Sequence, residues 1–195
     1  MGVKKLPFDA EIEYLQSRGA QYIDTGIIAN LQTSVDVKFA FTQIFDDNTV
    51  ISMDSGSVET KSFTLEYFSS YGIVFSLDGK IGAVRTFITP TVNTIYTVTA
   101  KNNNTKVNGT LYRNFSAPYS FTGDYPLFMF AYGRNNSPII YGKSKIYYCK
   151  IYNNGVLVRD FIPVRVGQVG YMYDKVSGQL FGNAGADSFI LGQDI

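Results

Sequence analysis

Residues 145–164 constrain the fold more than any other part of the sequence. Two runs rich in β-branched and aromatic residues, 145–152 and 156–164, flank the pair Asn154-Gly155. Asn-Gly tolerates the positive φ angles that a type I′ turn requires at both central residues, and this turn matches the twist of two paired strands. The stretch therefore predicts a long antiparallel β-hairpin.

The same strand signals recur along the rest of the chain. In residues 33–41, apolar Val35, Val37, Phe39 and Phe41 alternate with polar or small residues. Strand-like segments follow one another at spacings of roughly 8–12 residues, as in two-sheet sandwiches. No segment has a helical period of useful length, and the long crossovers of parallel sheets are missing. The sequence therefore predicts an all-β fold, an antiparallel two-sheet jelly-roll sandwich with about six strands in each sheet.

The predicted strands fill one domain. They are expected at 33–41, 48–53, 62–68, 72–77, 83–88, 94–100, 105–112, 126–132, 144–152, 156–164, 169–173 and 178–181. Residues 1–9 contain two lysines and a proline without periodicity, which indicates an N-terminal arm or linker before a sandwich at 10–195. The apolar segment 189–191 needs a neighbour to bury against, which predicts that the two ends of the chain pair.

The composition excludes several classes of function. Histidine is absent, which removes Ser-His-Asp triads, Cys-His nucleophiles and the usual zinc and iron ligand sets. Cys149 is the single cysteine, so no internal disulfide can form, and its place in an alternating strand indicates a small core residue. The net charge is +1 without a long basic run, so we expect no nucleic-acid partner.

The sequence also bears on localisation. No apolar run approaches the roughly 20 residues of a transmembrane helix, so we expect no membrane insertion. The first eight residues lack the apolar region of a secretory signal peptide. We therefore expect either a chain that is not exported by that route or a fragment of a longer protein.

Three blocks of sequence carry a resemblance to a known family. The first joins 13–17 to 21–26, the second is the hairpin stretch, and the third is 170–175 followed by 183–185 and Phe189. Together they resemble the concanavalin A-like, or laminin-G-like, jelly-roll domains of phage structural proteins and of surface proteins of gut bacteria. The resemblance implies this fold and a location on a phage virion, at the cell surface or otherwise outside the cell.

The resemblance also implies partners. Members of the family are often presumed to bind glycans, so the expected partners are a host glycan or cell-surface polysaccharide and other virion or surface-protein chains. Because one fold can host many functions, the function itself has to be argued from a site.

The segment 132–138 is one candidate binding site. Tyr132 offers an aromatic face on which a sugar ring can stack, while Arg134, Asn135 and Asn136 offer planar donors and acceptors for hydroxyl groups. The alternative interpretation is an ordinary Asn/Gly/Pro turn that joins two strands.

The segment 117–126 is another candidate, because it combines Tyr119, Phe121, Asp124 and Tyr125. Tyr119 and Tyr125 would bind a ligand if the segment lined a groove at the rim of the sandwich. The alternative is that the segment folds down as a cap over the core.

Clustered acids suggest a metal site as a minority hypothesis. Asp46 and Asp47, with Asn48 and Asp54 nearby, offer the oxygen ligands that Ca²⁺ prefers. The resemblance adds that laminin-G-like domains often hold one calcium at the rim. The same residues form a common type of turn, and their spacing does not match an EF-hand loop, so we expect no cofactor apart from this calcium hypothesis.

Catalytic carboxylates were sought among the glutamates. Glycosidases of this superfold carry a Glu-x-Asp-x-x-Glu strand motif, and residues 11–16 approach it with Glu11 and Glu13. Gln16 replaces the third acid and cannot exchange a proton at neutral pH. Glu59 and Glu66 form no recognisable pair either, so no enzyme is expected.

The sequence therefore predicts a non-catalytic, lectin-like binding module for host attachment that recognises glycans from a phage virion or bacterial surface. A purely structural virion domain, for decoration or oligomerisation, is the first alternative, and a glycoside hydrolase is the second. A polar concave face lined by Tyr, Arg and Asn would favour binding. An exposed apolar patch beyond a few hundred Å² would favour the structural domain, and carboxylates roughly 5–9 Å apart in a groove would favour hydrolysis.

Overall fold

The fold is an antiparallel two-sheet β-sandwich of the jelly-roll type, as the sequence predicts. The computed structural model describes residues 6–56, 61–77, 83–101, 104–113 and 121–195. Two sheets of eleven and eight strands pack together. Within these ranges no residue is helical, and no helix is long and apolar enough to cross a membrane.

Within the described residues, nineteen strands build the two sheets. In chain order they are β1 (Ala10–Glu11), β2 (Leu15–Gln16), β3 (Ile23–Asn30), β4 (Ser34–Phe41), β5 (Asn48–Asp54), β6 (Ser62–Phe68), β7 (Gly72–Leu77), β8 (Val84–Arg85), β9 (Ile95–Lys101), β10 (Asn104–Val107), β11 (Thr110–Arg113), β12 (Thr122–Met129), β13 (Ala131–Arg134), β14 (Ser137–Tyr141), β15 (Ser144–Asn153), β16 (Val156–Val166), β17 (Val169–Asp174), β18 (Gln179–Phe181) and β19 (Ile190–Leu191).

The order of the strands places distant parts of the chain side by side. The larger sheet runs β11-β10-β9-β4-β15-β16-β17-β18, with β1 beside β16, β2 beside β15 and β19 beside β2. The smaller sheet runs β14-β13-β5-β6-β7-β8, with β12 between β3 and β5. Among the described strand pairs only β13 with β5 is parallel, through the single pair Arg134 and Asp54.

The predicted hairpin is confirmed. Strands β15 and β16 pair antiparallel, and Asn153 faces Val156 across the turn. Asn154 and Gly155 have φ angles of 50° and 77°, the left-handed values that a type I′ turn requires.

The two ends of the chain also pair as expected. Ile190 and Leu191 of β19 face Gln16 and Leu15 of β2 in antiparallel register. Ile12 forms an isolated bridge with Asp194. Strands from both ends of the chain therefore belong to the larger sheet.

Aromatic residues fill the space between the sheets. Phe39 and Phe161 of the larger sheet are fully buried, as are Phe63 and Phe75 of the smaller sheet. Cys149 is fully buried as well, which confirms it as a core residue. Burial of each such side chain contributes about 1.5–3 kcal/mol, so apolar burial between the sheets is a main source of stability.

Several details of the strand prediction were wrong, and β3 (Ile23–Asn30) and β14 (Ser137–Tyr141) were not predicted. The expected strand 126–132 is interrupted at Phe130, whose φ of 65° ends β12 and redirects the chain into β13. The expected strand 105–112 is a hairpin with a turn at Asn108-Gly109, and only Val84–Arg85 of 83–88 forms a strand. These breaks and several two-residue strands raise the strand number above six per sheet, because local turn geometry interrupts runs that look continuous in sequence.

Candidate functional site

A pocket of about 400 Å³ lies on the outer face of the smaller sheet. Residues of β6 alternate between the two faces: Phe63 and Leu65 are fully buried in the core, whereas Thr64 and Glu66 line the pocket. This alternation follows from the two-residue period of a strand. The volume falls within the roughly 300–1,000 Å³ that is typical of ligand sites.

Small side chains create the depression. Thr64 of β6 faces Ser76 of β7, and Ser62 of β6 lies two residues further along the same strand face. These three short residues form the floor of the pocket, and longer side chains lie at its two ends. The concavity therefore comes from short hydroxyl residues between long polar and aromatic ones, and its floor offers hydroxyl groups.

One end of the pocket is a hydrogen-bonded cluster around Asp54. The Tyr132 hydroxyl donates to Oδ2 of Asp54 at 2.5 Å. Arg134 donates to the same oxygen from Nη2 at 3.1 Å and from Nε at 3.3 Å. Burial, and then the hydrogen bond to Asp54, raise the pKa of Tyr132 far above its usual value, so this hydroxyl remains a donor at neutral pH.

The break at Phe130 positions this cluster. After Phe130 the chain enters β13, where the Gly133 amide donates to Oγ of Ser52 at 2.9 Å. Ser52 Oγ in turn donates to the Ala131 carbonyl at 3.0 Å. These bonds tie β13 to β5 and bring Tyr132 and Arg134 to Asp54.

Two further carboxyl groups line the pocket. Burial, and then the charge of Asp47, raise the pKa of Glu66 to about 8. Burial and the neighbouring charge of Asp46 raise the pKa of Asp47 as well. Oε2 of Glu66 is buried without a hydrogen-bond partner among the described residues. Glu66 is therefore mostly protonated at neutral pH and adds no full negative charge to the pocket.

The opposite end of the pocket is aromatic and cationic. The Phe68 and Tyr71 rings stack with centroids 5.7 Å apart and an interplanar angle of 22°. The guanidinium carbon of Arg85 lies 4.1 Å from the Tyr71 ring centroid. This distance is typical of a cation–π contact.

The structure separates the residues predicted in 132–138. Tyr132 and Arg134 both line the pocket. Asn135 and Asn136 form the exposed turn between β13 and β14, with φ angles of 50° and 60°, and do not line it. The segment is thus both a strand turn and the source of two pocket residues.

The residues predicted in 117–126 lie elsewhere. Tyr125 is half-buried in β12 and packs against the core. Phe121 is buried, and from Thr122 onward the segment belongs to β12 rather than to a loop. Tyr119 lies outside the described residues.

The predicted calcium ligands occupy different surroundings. Asp46 accepts hydrogen bonds from the Ser69 amide at 2.6 Å and from the Ser69 hydroxyl at 3.1 Å, one at each carboxylate oxygen. Asp47 lines the pocket. In the part of the chain that the structure describes, no group of three or more His, Cys, Asp or Glu side chains is placed to hold a metal ion.

The N-terminal glutamates do not reach the pocket. Glu11 pairs with Val164 at the edge of β16, as expected for an edge strand, and the Glu13 amide donates to the Gln193 carbonyl. Glu59 lies outside the described residues. Of the glutamates considered from sequence, only Glu66 lines the pocket within the described ranges.

Sequence reasoning missed Tyr71 and Arg85 as site residues, and it considered Asp54 only as a possible calcium ligand. The outward alternation of Ser62, Thr64 and Glu66 along β6 could have indicated a polar face. What the sequence does not carry is the lateral order of β13, β5, β6, β7 and β8 that joins these residues.

No protein-family model matches the sequence, and a comparison with curated proteins finds no match. The function therefore has to be argued from the pocket itself.

Proposed function

We propose that the chain is a glycan-binding module, displayed on a phage virion or a bacterial surface protein, that recognises host glycans in the pocket of the smaller sheet. One observation carries the proposal: Tyr132, Arg134 and Asp54 form a single hydrogen-bonded cluster in a polar pocket. The resemblance of the three sequence blocks to virion and surface jelly-roll domains suggests the biological setting.

The chemistry of the pocket suits sugars. A sugar hydroxyl donates one hydrogen bond and accepts others, so it needs acceptors and donors that are close together. Asp54 is an acceptor, the Arg134 guanidinium is a donor with 48% of its side chain exposed, and Thr64 and Ser76 add hydroxyl groups. Tyr132 supplies aromatic surface for the apolar face of a sugar ring, whereas Phe68 and Arg85 already contact the Tyr71 ring.

A glycan array tests this proposal. The purified chain, coupled multivalently to fluorescent beads, is applied to bacterial surface glycans, both neutral and acidic. We expect selective binding that Tyr132→Phe weakens at least fivefold, because this variant removes one hydroxyl and leaves Asp54 without one of its donors. Tyr152→Phe is the matched control, since Tyr152 lies on β15 in the other sheet.

The same array separates the alternatives. Absence of binding at high multivalent concentration contradicts the proposal and favours the purely structural virion domain. Binding that Tyr132→Phe leaves unchanged contradicts the assignment of the pocket. We expect EDTA to have no effect, because both carboxylate oxygens of Asp46 are already bonded to Ser69.

Hydrolysis is a second candidate, which the three carboxyl groups in one pocket favour. The raised pKa of Glu66, about 8, is a property of a general acid. Two features favour binding instead. Oδ2 of Asp54 already accepts bonds from Tyr132 and Arg134. Asp54 also faces Ser62, four residues from Glu66 on β6, which separates their backbones by roughly 13 Å along the strand.

A product assay distinguishes hydrolysis from binding. Each oligosaccharide bound on the array is incubated with the protein, and new reducing ends are measured over time. We expect none. Release of reducing ends that Glu66→Gln abolishes, with binding retained, would establish the hydrolase instead.

A further inference from the structure

Arg85 differs from the other guanidinium of the pocket in its partners. Arg134 forms an ion pair with Asp54 at 3.1 Å. Arg85 contacts the Tyr71 ring, and within the described residues its side chain forms no ion pair and no hydrogen bond. The pocket therefore contains one neutralised guanidinium and one whose charge is uncompensated.

The register of the strands keeps Arg85 apart from the acids. Glu66 of β6 faces Val74 of β7, and Val74 faces Arg85 of β8. Two strand spacings, about 9–10 Å, therefore separate the backbones of Glu66 and Arg85, with the apolar Val74 between them. Asp54 lies further from Arg85 than Glu66 does, because it pairs with Ser62, four residues before Glu66 on β6. Among the described residues no anion compensates Arg85 inside the pocket, so a ligand can supply one.

The stacked rings hold Arg85 in a defined orientation. Tyr71 stacks with Phe68, and the Arg85 guanidinium lies over Tyr71. A guanidinium fixed over a ring keeps its N–H donors available at its edge, and its planar fork matches the two oxygens of a carboxylate. Because this side chain is exposed, the fork is accessible to a ligand.

We propose that the glycan recognised by this pocket is acidic, and that Arg85 binds the carboxylate of a uronic acid or another carboxylated sugar. This inference rests on the proposed glycan-binding function and adds the class of glycan. The carboxylate lies at the Arg85 end, and neutral hydroxyls of the same glycan reach Asp54, Tyr132 and Arg134 at the other end. The hydroxyls of Thr64 and Ser76 line the path between the two ends.

A ligand with one charged group in the pocket fits better than a ligand with several. The pocket also contains Asp47, Asp54 and Glu66, and each added ligand charge is repelled by the ionised acids among them. Arg85 can pair with one ligand charge, and the described pocket residues offer no second unpaired guanidinium. The expected ligand therefore places a single carboxylate at the Arg85 end.

Paired oligosaccharides test the inference. The probes are hyaluronan, alginate and oligogalacturonate tetrasaccharides, each measured beside the same compound with its carboxyl groups reduced to alcohols, together with the neutral and acidic glycans bound on the array. Dissociation constants are obtained by calorimetry at low and high salt. We expect at least one acidic glycan to bind at least tenfold more tightly than its carboxyl-reduced partner, and this ratio to shrink at high salt.

A matched pair of variants assigns the effect to Arg85. We expect Arg85→Gln to lower the affinity ratio between the acidic glycan and its reduced partner from at least tenfold to about one. Arg18→Gln is the control, because Arg18 is exposed in the loop before β3 and does not line the pocket. Both positions are exposed, and thermal melts verify that the variants are folded.

The outcomes separate this inference from the function on which it rests. Equal affinity for acidic and reduced glycans, or an acid preference that Arg85→Gln retains, overturns the inference while Tyr132-dependent binding still supports the glycan module. Absence of binding to every glycan overturns both.

Discussion

Half-buried Glu66 and fully buried Asp174 are two acids in opposite situations. Asp174 is fully buried and accepts hydrogen bonds from the Asp160, Val176 and Ser177 amides and from the Ser177 hydroxyl. Its Oδ2 also lies 3.6 Å from Nη1 of Arg159. Oε2 of Glu66 has no hydrogen-bond partner among the described residues. Asp174 is therefore part of the scaffold, whereas Glu66 is a stability cost in the wall of the pocket.

The raised pKa of Glu66 predicts a pH dependence of stability. Between pH 4.5, the usual pKa of the group, and about 8 the folded chain keeps a proton that the unfolded chain releases. Protonated Glu66 is compatible with its half-buried site, so the fold is most stable at low pH. This stability is lost as the pH rises towards 8, because Glu66 then has to ionise. We expect the free energy of unfolding of the natural chain, relative to Glu66→Gln, to fall by up to about 1.4 kcal/mol per pH unit in this window.

Chemical denaturation of both proteins between pH 4.5 and 9 measures this difference. Glu66→Gln keeps the size of the side chain and cannot ionise, so it serves as the reference for every other titrating group. Parallel pH profiles for the two proteins would contradict the prediction.

Removing the Asp174 carboxylate should destabilise the fold strongly. Asp174→Ala leaves three amide donors and the partly buried Arg159 without their acceptor, so we expect a loss of about 3–5 kcal/mol. Asp194→Ala is the contrasting variant, because its ion pair with Arg165 is solvent-exposed and screened by water, so we expect a much smaller loss. Similar losses for the two variants in denaturant unfolding would show that Asp174 is not a structural anchor.

At the scale of the elements, turns and strand breaks shape the sandwich. The Asn154-Gly155 turn fixes the register of β15 and β16, because both residues adopt left-handed φ angles. The break at Phe130 separates β12 from β13 and directs β13 towards Asp54. The Asn154-Gly155 turn thus sets the register of a central hairpin, and the break at Phe130 brings β13 to the candidate site.

Substitutions at two glycines test two different effects, the cost of a left-handed backbone conformation and the cost of a steric clash. A Cβ at Gly155 would have open space around it, so Gly155→Ala tests only the φ of 77° and should cost about 1 kcal/mol. A Cβ at Gly142 would lie only 2.0 Å from the Thr49 carbonyl oxygen, so Gly142→Ala must displace backbone. We expect a distinctly larger loss for Gly142→Ala in urea unfolding, and the reverse order would contradict this account.

At the scale of the whole molecule, side chains in the core between the two sheets contribute most of the stability, and side chains on the outer faces contribute less. Phe41 of β4 and Tyr67 of β6 pack against each other across the two sheets, with ring centroids 6.4 Å apart. The ring centroids of Phe130 and Phe189 are 5.1 Å apart. The pocket lies outside this core, on the opposite face of the smaller sheet. Its residues can therefore change with less effect on folding than residues between the sheets.

Two phenylalanines test this division. Phe39 is fully buried, so Phe39→Ala should cost about 3–5 kcal/mol. Phe87 is 71% exposed, so Phe87→Ala should change the free energy of unfolding by less than about 0.5 kcal/mol. Thermal and denaturant unfolding measure both, and a large loss at Phe87 would show that this residue is packed in solution.

Part of the candidate site was visible in the sequence. Tyr132, Arg134 and Asp47 were recognised by their type and by neighbouring turn residues, although their interaction with Asp54, Glu66 and Arg85 was not foreseen. Asn135 and Asn136 have the same polar character, but the left-handed turn places them outside the pocket. Residue type alone does not distinguish a turn from a binding site.

The sequence by itself indicated the alternation of β4, the Asn-Gly hairpin and the burial of Cys149, and the apolar C-terminal segment indicated that the chain ends pair, although not in which register. These features follow from side-chain periodicity, turn geometry and the need to bury apolar groups. Only the tertiary structure decided the pocket, because its residues extend from Asp47 to Arg134 along the chain and meet through the lateral order of strands in one sheet. That order is set by long-range packing, which no local pattern encodes.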